Sequence, residues 1–143
     1  GMSAAPPAPR VLLVDDNHGF RHELRLLLED CGIEVVAEGE NGQEAVELAT
    51  RTDADVVLMD LRMPVLGGLD AARLIKDACP ATQVVLLTAF ESPALEQQAE
   101  EAGCFAYLVK GGPPGTLRLV LHQAVASRRA LLAPPGSPAR PGR

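Results

Sequence analysis

Short β-branched or leucine-rich runs alternate with amphipathic helical stretches five times along this chain, without any internal repeat. Such alternation with short connections dictates right-handed crossovers, and these force the strands into a parallel sheet with helices on both faces. The expected strands are Arg10–Val14, Ile33–Glu38, Asp55–Asp60, Gln83–Thr88 and Phe105–Lys110. The run Val-Val-Leu-Met within the third has no polar alternation, as befits a strand covered on both sides. The fold class is therefore α/β, a doubly wound (βα)5 arrangement.

The helices are punctuated by their own sequence. Asn17 is suited to cap a first helix whose apolar stripe is Phe20, Leu24, Leu27 and Leu28, with Gly32 stopping it. Asn41-Gly42 opens a second helix through Ala45, Val46, Leu48 and Ala49. A loop with Pro64, Gly67 and Gly68 leads to a third over Leu69–Ala78, and Pro80 forbids its continuation. Pro93–Ala102 forms the fourth, ended by Gly103. Pro113-Pro114 suit the entry of a fifth that runs from about Thr116 to Leu132, because the first N–H groups of a helix lack intrahelical partners.

These boundaries leave residues 10–132 as one domain, and 143 residues with 47% apolar content suffice for a single core. Residues 1–9 read as a disordered tail, with Gly1 before Met2 a cloning scar, and residues 133–143 as a flexible Pro/Gly-rich tail or linker. A net charge of −6 disfavours nucleic-acid binding by this domain, since such binding runs on Lys and Arg. No apolar run has membrane-spanning length, no signal-peptide pattern opens the chain, and the cytoplasm is the expected address. Cys31, Cys79 and Cys104 lack metal-ligand or redox spacing and read as half-buried, reduced thiols.

Four of the five strands run into a polar residue that a core would waste. Val14 is followed by Asp15-Asp16, Met59 by Asp60, Leu87 by Thr88 and Val109 by Lys110. In a parallel sheet all of these emerge at one edge, where open α/β sheets bind ligands. Three carboxylates about 5 Å apart repel by roughly 3 kcal/mol per pair at an effective dielectric near 20. Lys110 is one cation and cannot both quieten the cluster and bind a dianion. A hard divalent ion, Mg²⁺ (or Mn²⁺), fits the deficit. Asp16 and Asp60 are the expected direct ligands and Asp15 a water-mediated one, with the backbone carbonyl of Arg62 completing the protein's share.

With a cation held there, a carboxylate oxygen can attack a phosphoryl group. Phosphoryl transfer asks mainly for positioning and for charge stabilisation on the equatorial oxygens. The metal supplies one contact, Lys110 a second, and Thr88 Oγ with a nearby backbone N–H a third, while Ala89 leaves room for an incoming donor. Every part needed to make an aspartyl phosphate is present.

The segments VLLVDDN, VVLMDLRMP, VVLLTAF and AYLVK resemble those of bacterial two-component response-regulator receiver domains. They occur in order, at strand ends, and the resemblance extends from Arg10 to Leu132. It implies a flavodoxin-like sheet in strand order 2-1-3-4-5. It also implies that Asp60 is phosphorylated from a sensor histidine kinase or His-phosphotransfer protein, that Asp15 and Asp16 hold Mg²⁺, and that Lys110 contacts the phosphoryl group. Thr88 and Tyr107 would be the switch pair. Phosphorylation adds charge and acceptors at Asp60, Thr88 moves toward them, and the aromatic ring fills the space vacated. The surface of the fourth helix, fifth strand and fifth helix would change with it and serve as a partner or homodimer face.

Two departures from the family pattern stand out. Gly111 follows Lys110 where the family usually has a proline in a cis peptide, which leaves the local geometry open. Val65 and Gly67 occupy the family's frequent glycine and acidic positions, while Gly68 matches. Arg62 and Phe90, two residues beyond Asp60 and Thr88, flank the site and bear on phosphate lifetime. His18 reads as an exposed first-turn residue, His22 and His122 as helix-surface residues, and Arg128-Arg129 as partners of the helix dipole.

The pattern is that of a phosphoacceptor signalling domain that catalyses its own phosphotransfer and dephosphorylation rather than a turnover enzyme. Haloacid-dehalogenase-like phosphatases need a second acid two residues after the nucleophile, and position 62 is Arg. A pseudo-receiver acting by unphosphorylated contacts is the third reading, and the intact acid, Thr and Lys positions count against it. The chain fits a stand-alone regulator or the receiver portion of a DNA-binding transcriptional regulator. Asp-Leu-Arg-Met-Pro resembles receivers of the helix-turn-helix class.

Overall fold

Strands and helices alternate without exception in the computed structural model, which describes residues 5–136. The elements are β1 (Arg10–Val14), α1 (His18–Asp30), β2 (Glu34–Gly39), α2 (Gly42–Arg51) and β3 (Val56–Asp60). They continue as α3 (Gly68–Ala78), β4 (Gln83–Thr88), α4 (Pro93–Glu101), β5 (Ala106–Val109) and α5 (Pro114–Leu132). All strand pairings are parallel, and the order is β2-β1-β3-β4-β5, as the resemblance implies.

Alternation along the strands builds two cores. Leu12, Val14, Val57, Met59, Val84 and Leu86 meet α2, α3 and α4 through Ala45, Ala49, Ala71, Ala72, Ile75 and Ala99. Val11, Leu13, Val56, Leu58, Val85 and Leu87 meet α1 and α5 through Leu24, Leu28, Leu121, Ala124 and Val125. Successive side chains point to opposite faces, so unbroken apolar runs are what a sheet buried on both sides requires. The split is two helices against three. Small residues on α2 and α3 let those helices lie close to the sheet. Gly42 is packed so tightly that a Cβ there would stand 2.2 Å from the Leu66 carbonyl oxygen.

The expected cap at Asn17 forms, and Asn41 caps α2. Each accepts a hydrogen bond from the backbone three residues on, as does Ser92 at the start of α4, which the sequence reading did not single out. Gly32 and Gly103 follow α1 and α4 at φ of +76° and +84°, the left-handed conformation that ends a helix. Boundaries differ at a few places. β2 runs one residue later than expected, through Gly39, and α5 starts at Pro114 rather than Thr116. β5 is shorter than Phe105–Lys110 because Gly111 turns the chain at φ +81° directly after Lys110.

Residues 7–9, assigned from the sequence to the tail, carry specific contacts. The Pro9 carbonyl accepts from Glu34 N–H at 2.8 Å. Arg129 donates to the carbonyls of Pro7 and Ala8 at 2.9 and 3.0 Å. The Arg128-Arg129 pair is thus more than a complement to the helix dipole. Both guanidinium groups also bind Asp55, which is 2% exposed and accepts from the Arg10 N–H as well. The expected features at residues 1–4 and 137–143 lie outside the described residues. Among the described residues no helix is long and apolar enough to cross a membrane.

Candidate functional site

Register brings the polar strand ends together. Val14 pairs with Met59, so Asp15 and Asp60 follow at the same level of adjacent strands. Asp60 pairs with Leu87, which precedes Thr88, and Thr88 pairs with Val109, which precedes Lys110. The edge they form lies where the order reverses, between β1 and β3. From there the chain winds outward in opposite directions, leaving a crevice.

Asp15 is 2% exposed and fully engaged. Its Oδ1 accepts from the Asn17 N–H and its Oδ2 from Lys110 Nζ, both at 2.8 Å. Lys110 Nζ also stands 3.5 Å from Asp60 Oδ2 and 4.3 Å from the centroid of the Phe20 ring. Its charge is held between two carboxylates and an aromatic face. Asp16 is exposed. Asp15, Asp16 and Asp60 each offer a carboxylate oxygen, and these three atoms lie within 4.8 Å of one another.

The donor set suits a small hard cation. Octahedral Mg²⁺ with bonds of about 2.1 Å spaces its oxygen ligands about 3.0 Å apart on an edge and about 4.2 Å across a diagonal. The Asp cluster is at most slightly wider, and Asp16 is free to swing inward. Water-mediated contact by Asp15 is compatible with its occupied oxygens. Arg62 lies in the loop directly after Asp60, with its backbone N–H near enough to favour the ionised Asp60 carboxylate. Its carbonyl sits within the same turn.

Burial raises the Asp60 carboxyl above its ordinary value. The Lys110 ammonium opposes this, the Asp15 charge adds to it, and the Arg62 N–H again opposes it. The loop under Asp60 is constrained by close approach. A Cβ on Gly68 would stand 2.5 Å from the Asp60 carbonyl oxygen, so only glycine lets α3 start there. Val65 adopts φ +69°, a conformation costly for a β-branched residue, at the position where the family pattern has glycine.

Thr88 is buried at the end of β4, 4% exposed, and its Oγ1 accepts from the Phe90 N–H at 3.4 Å. Its own hydroxyl proton remains available. Ala89 is exposed beside it. Tyr107 pairs with Leu86 and lies on the same face of the sheet as Thr88, packing on the α2–α4 core. Its hydroxyl donates to the Phe90 carbonyl at 3.1 Å. The Lys110 N–H donates to the Thr88 carbonyl at 2.7 Å, which fixes the lysine beside the threonine. Among the described residues every peptide bond is trans, and Gly111 takes a positive φ closed to proline. Glycine therefore replaces the family's proline with a different turn.

Sequence reasoning overlooked Arg21. It lies on the buried stripe of α1 with Leu24 and Leu28, and it is 6% exposed. A charged residue at core spacing, three before one leucine and seven before another, was the available signal. Phe20 was read as packing only, and its ring also faces Lys110. His18 is exposed, as expected, with Nδ1 3.1 Å from an Arg21 nitrogen. The three cysteines are free and partly buried, and burial pushes the Cys104 thiol up to about 11. A cleft of about 500 Å³ adjoins Lys110 between α1 and the β5–α5 turn, lined by Phe20, Leu24, Leu27, Tyr107, Pro113 and Leu117.

Known proteins resemble this chain in sequence and fold. The response regulator receiver domain profile matches residues 11–122. The chain is 40% identical over 124 residues to the transcriptional regulatory protein PdtaR of Mycobacterium tuberculosis, covering 87% of this chain and 60% of that protein. It is 37% identical over 120 residues to the response regulator UvrY of Escherichia coli K12, covering 83% and 55%. The match thus spans little more than half the length of these curated relatives. Among solved structures, a LuxR-family two-component response regulator from Aurantimonas sp. SI85-9A1 superposes with a TM-score of 0.80 at 34% identity, covering 85% of this chain and 87% of the other. The receiver domain of NarL from Mycobacterium tuberculosis gives 0.76 at 32% identity, covering 83% and 98%.

Proposed function

The chain belongs to the response regulator receiver domain family of two-component signalling, and from that premise we propose that Asp60 is its phosphoacceptor, fed by a sensor histidine kinase or His-phosphotransfer protein. The observation that carries this reading is the meeting of three carboxylates within 4.8 Å beside one lysine. Asp15, Asp16 and Asp60, with the Arg62 carbonyl, would hold Mg²⁺ or Mn²⁺. When bound, the cation neutralises carboxylate charge and phosphoryl oxygens, which otherwise repel.

The remaining chemistry falls to the chain's own groups. An Asp60 carboxylate oxygen forms the new bond to phosphorus while the donor's P–N bond breaks and its electron pair returns to the imidazole. Lys110, already 3.5 Å from Asp60, needs only a short shift to contact a phosphoryl oxygen. Thr88 and the Ala89 N–H supply neutral donors, and exposed Ala89 leaves the approach open. The aspartyl phosphate is later hydrolysed at the same site.

Recruiting the Thr88 hydroxyl would disturb its bond with Phe90, and through Phe90 the anchor of Tyr107. The α4–β5–α5 face would then change as a partner or homodimer surface. A cytoplasmic site of action goes with this reading. The likeness to PdtaR, a transcriptional regulatory protein, favours a transcriptional output.

Acetyl phosphate with Mg²⁺ should add one phosphoryl group, read by intact-protein mass spectrometry. Labelling that survives Asp60→Ala would refute the assignment. Failure of the protein to bind Mg²⁺ would favour the pseudo-receiver alternative.

A further inference from the structure

Asp15 is held on its backbone as firmly as on its carboxylate. Its N–H donates to the Gly39 carbonyl at the end of β2, at 3.1 Å. Its carbonyl accepts from Arg21 Nη1 at 2.6 Å, a bond buried from solvent. Arg21 in turn is oriented by its other nitrogens. Nε donates to Glu38 Oε1 at 2.9 Å, and Nη2 lies 3.1 Å from His18 Nδ1. Glu40 adds a longer ion pair at 3.8 Å. One guanidinium thus ties α1 and the end of β2 to the peptide that joins the two aspartates.

We propose that Arg21 is a positioning residue for the divalent-cation site, fixing the Asp15–Asp16 peptide so that both carboxylates enter the acidic cup. This rests on the metal-site reading above. The peptide is planar, so holding the Asp15 carbonyl also fixes the plane from which Asp16 departs. Asp16 is exposed and makes no hydrogen bond of its own among the described residues, so the peptide plane is the one fixed point from which its side chain swings toward the site. The rigid fork of arginine reaches a carbonyl and a carboxylate together, which the single ammonium of lysine cannot do with fixed angles.

A second role for the same charge makes the opposite prediction. If Arg21 merely placed positive charge near the acids, its loss would strengthen cation binding. If it positions the peptide, its loss weakens binding. The sign separates the two.

Mg²⁺ should be titrated by calorimetry into the metal-free full chain and into R21K and R21Q, with urea midpoints measured in parallel. Residues that orient metal ligands cost about ten-fold or more in affinity when changed, and a weakening near ten-fold is expected for R21Q. R21K, which retains the charge, should fall between R21Q and the wild type. A fold-supporting role alone would lower the urea midpoint and leave the dissociation constant of the folded protein unchanged. Should R21Q fail to fold, R21K decides, since it keeps the positive charge and loses the fixed fork. Unchanged or tighter Mg²⁺ binding in these variants overturns the role of Arg21 while leaving the site itself intact. A wild-type protein that binds no Mg²⁺ overturns both.

Discussion

The Tyr107 hydroxyl donates to the carbonyl of Phe90 at 3.1 Å, while the N–H of the same Phe90 donates to Thr88 Oγ1 at 3.4 Å. The backbone of one residue therefore joins the two residues that the family resemblance implies as a switch pair. Tyr107→Phe removes the outer bond, which is exposed, and should cost about 0.5 kcal/mol or less in stability. Amide NMR should show the change at Phe90 and Thr88 before any ligand is added. If beryllofluoride with Mg²⁺ then moves the α4 and β5 resonances as in the wild type, the Tyr107 anchor is not part of the response.

Asp60→Asn removes a desolvated charge beside Asp15. In the metal-free protein the thermal midpoint should rise, because burial and Asp15 disfavour the ionised Asp60. Mg²⁺ at ten times its dissociation constant should add about 1.4 kcal/mol to wild-type stability by mass action, and much less to the variant. Equal stabilisation of both by Mg²⁺ would place the ion elsewhere.

Glu38 sets an acid limit on the α1–β2 contact. Burial works against its charge, but bonds from Arg25 and Arg21 prevail and hold its carboxyl below the ordinary value. The unfolded chain therefore binds this proton first as pH falls. The stabilisation is complete above the ordinary glutamate range and is lost as pH drops through the lower folded value. Arg25 is 41% exposed, so screening keeps the contribution to about 1 kcal/mol at most. Urea titrations of wild type and Glu38→Gln should converge at acid pH and separate near neutrality.

Asp55→Ala should be the most damaging surface-remote change. It leaves Arg128 and Arg129 without their buried partner and removes the acceptor for Arg10 N–H. Losing these charge-assisted hydrogen bonds and the acceptor for the Arg10 N–H should cost about 2 kcal/mol. Chemical denaturation measures it, and a loss under 1 kcal/mol would show that Arg128 and Arg129 find other partners.

Val65→Gly should stabilise. The left-handed backbone costs a non-glycine residue about 1–2 kcal/mol, part of which the greater unfolded-state freedom of glycine offsets. A net gain of about 0.5–1 kcal/mol is expected, and a loss would mean that the exposed valine side chain contributes packing at φ +69°.

Much of this protein is legible from residue order alone. The β/α alternation determines a parallel sheet, because short crossovers of fixed hand permit little else. Asn17, Asn41, Gly32 and Gly103 mark helix ends through local hydrogen bonding and backbone freedom, which need no distant partner. The polar strand ends at Asp15, Asp16, Asp60, Thr88 and Lys110 declare themselves because a core would reject them.

Tertiary structure decided what depends on residues distant in the chain. Lys110 meets Asp15 across 95 positions, and the sequence could say only that both lay on one edge. Arg128 and Arg129 look like ordinary helix-end cations until Asp55, more than seventy residues earlier, is brought beneath them. Arg21 is the clearest case. Its partners are a backbone carbonyl and a glutamate on a neighbouring strand, and backbone carbonyls carry no signature in a sequence. Local chemistry is written residue by residue, whereas the pairing of buried charges is fixed by strand register and helix placement once the chain has folded.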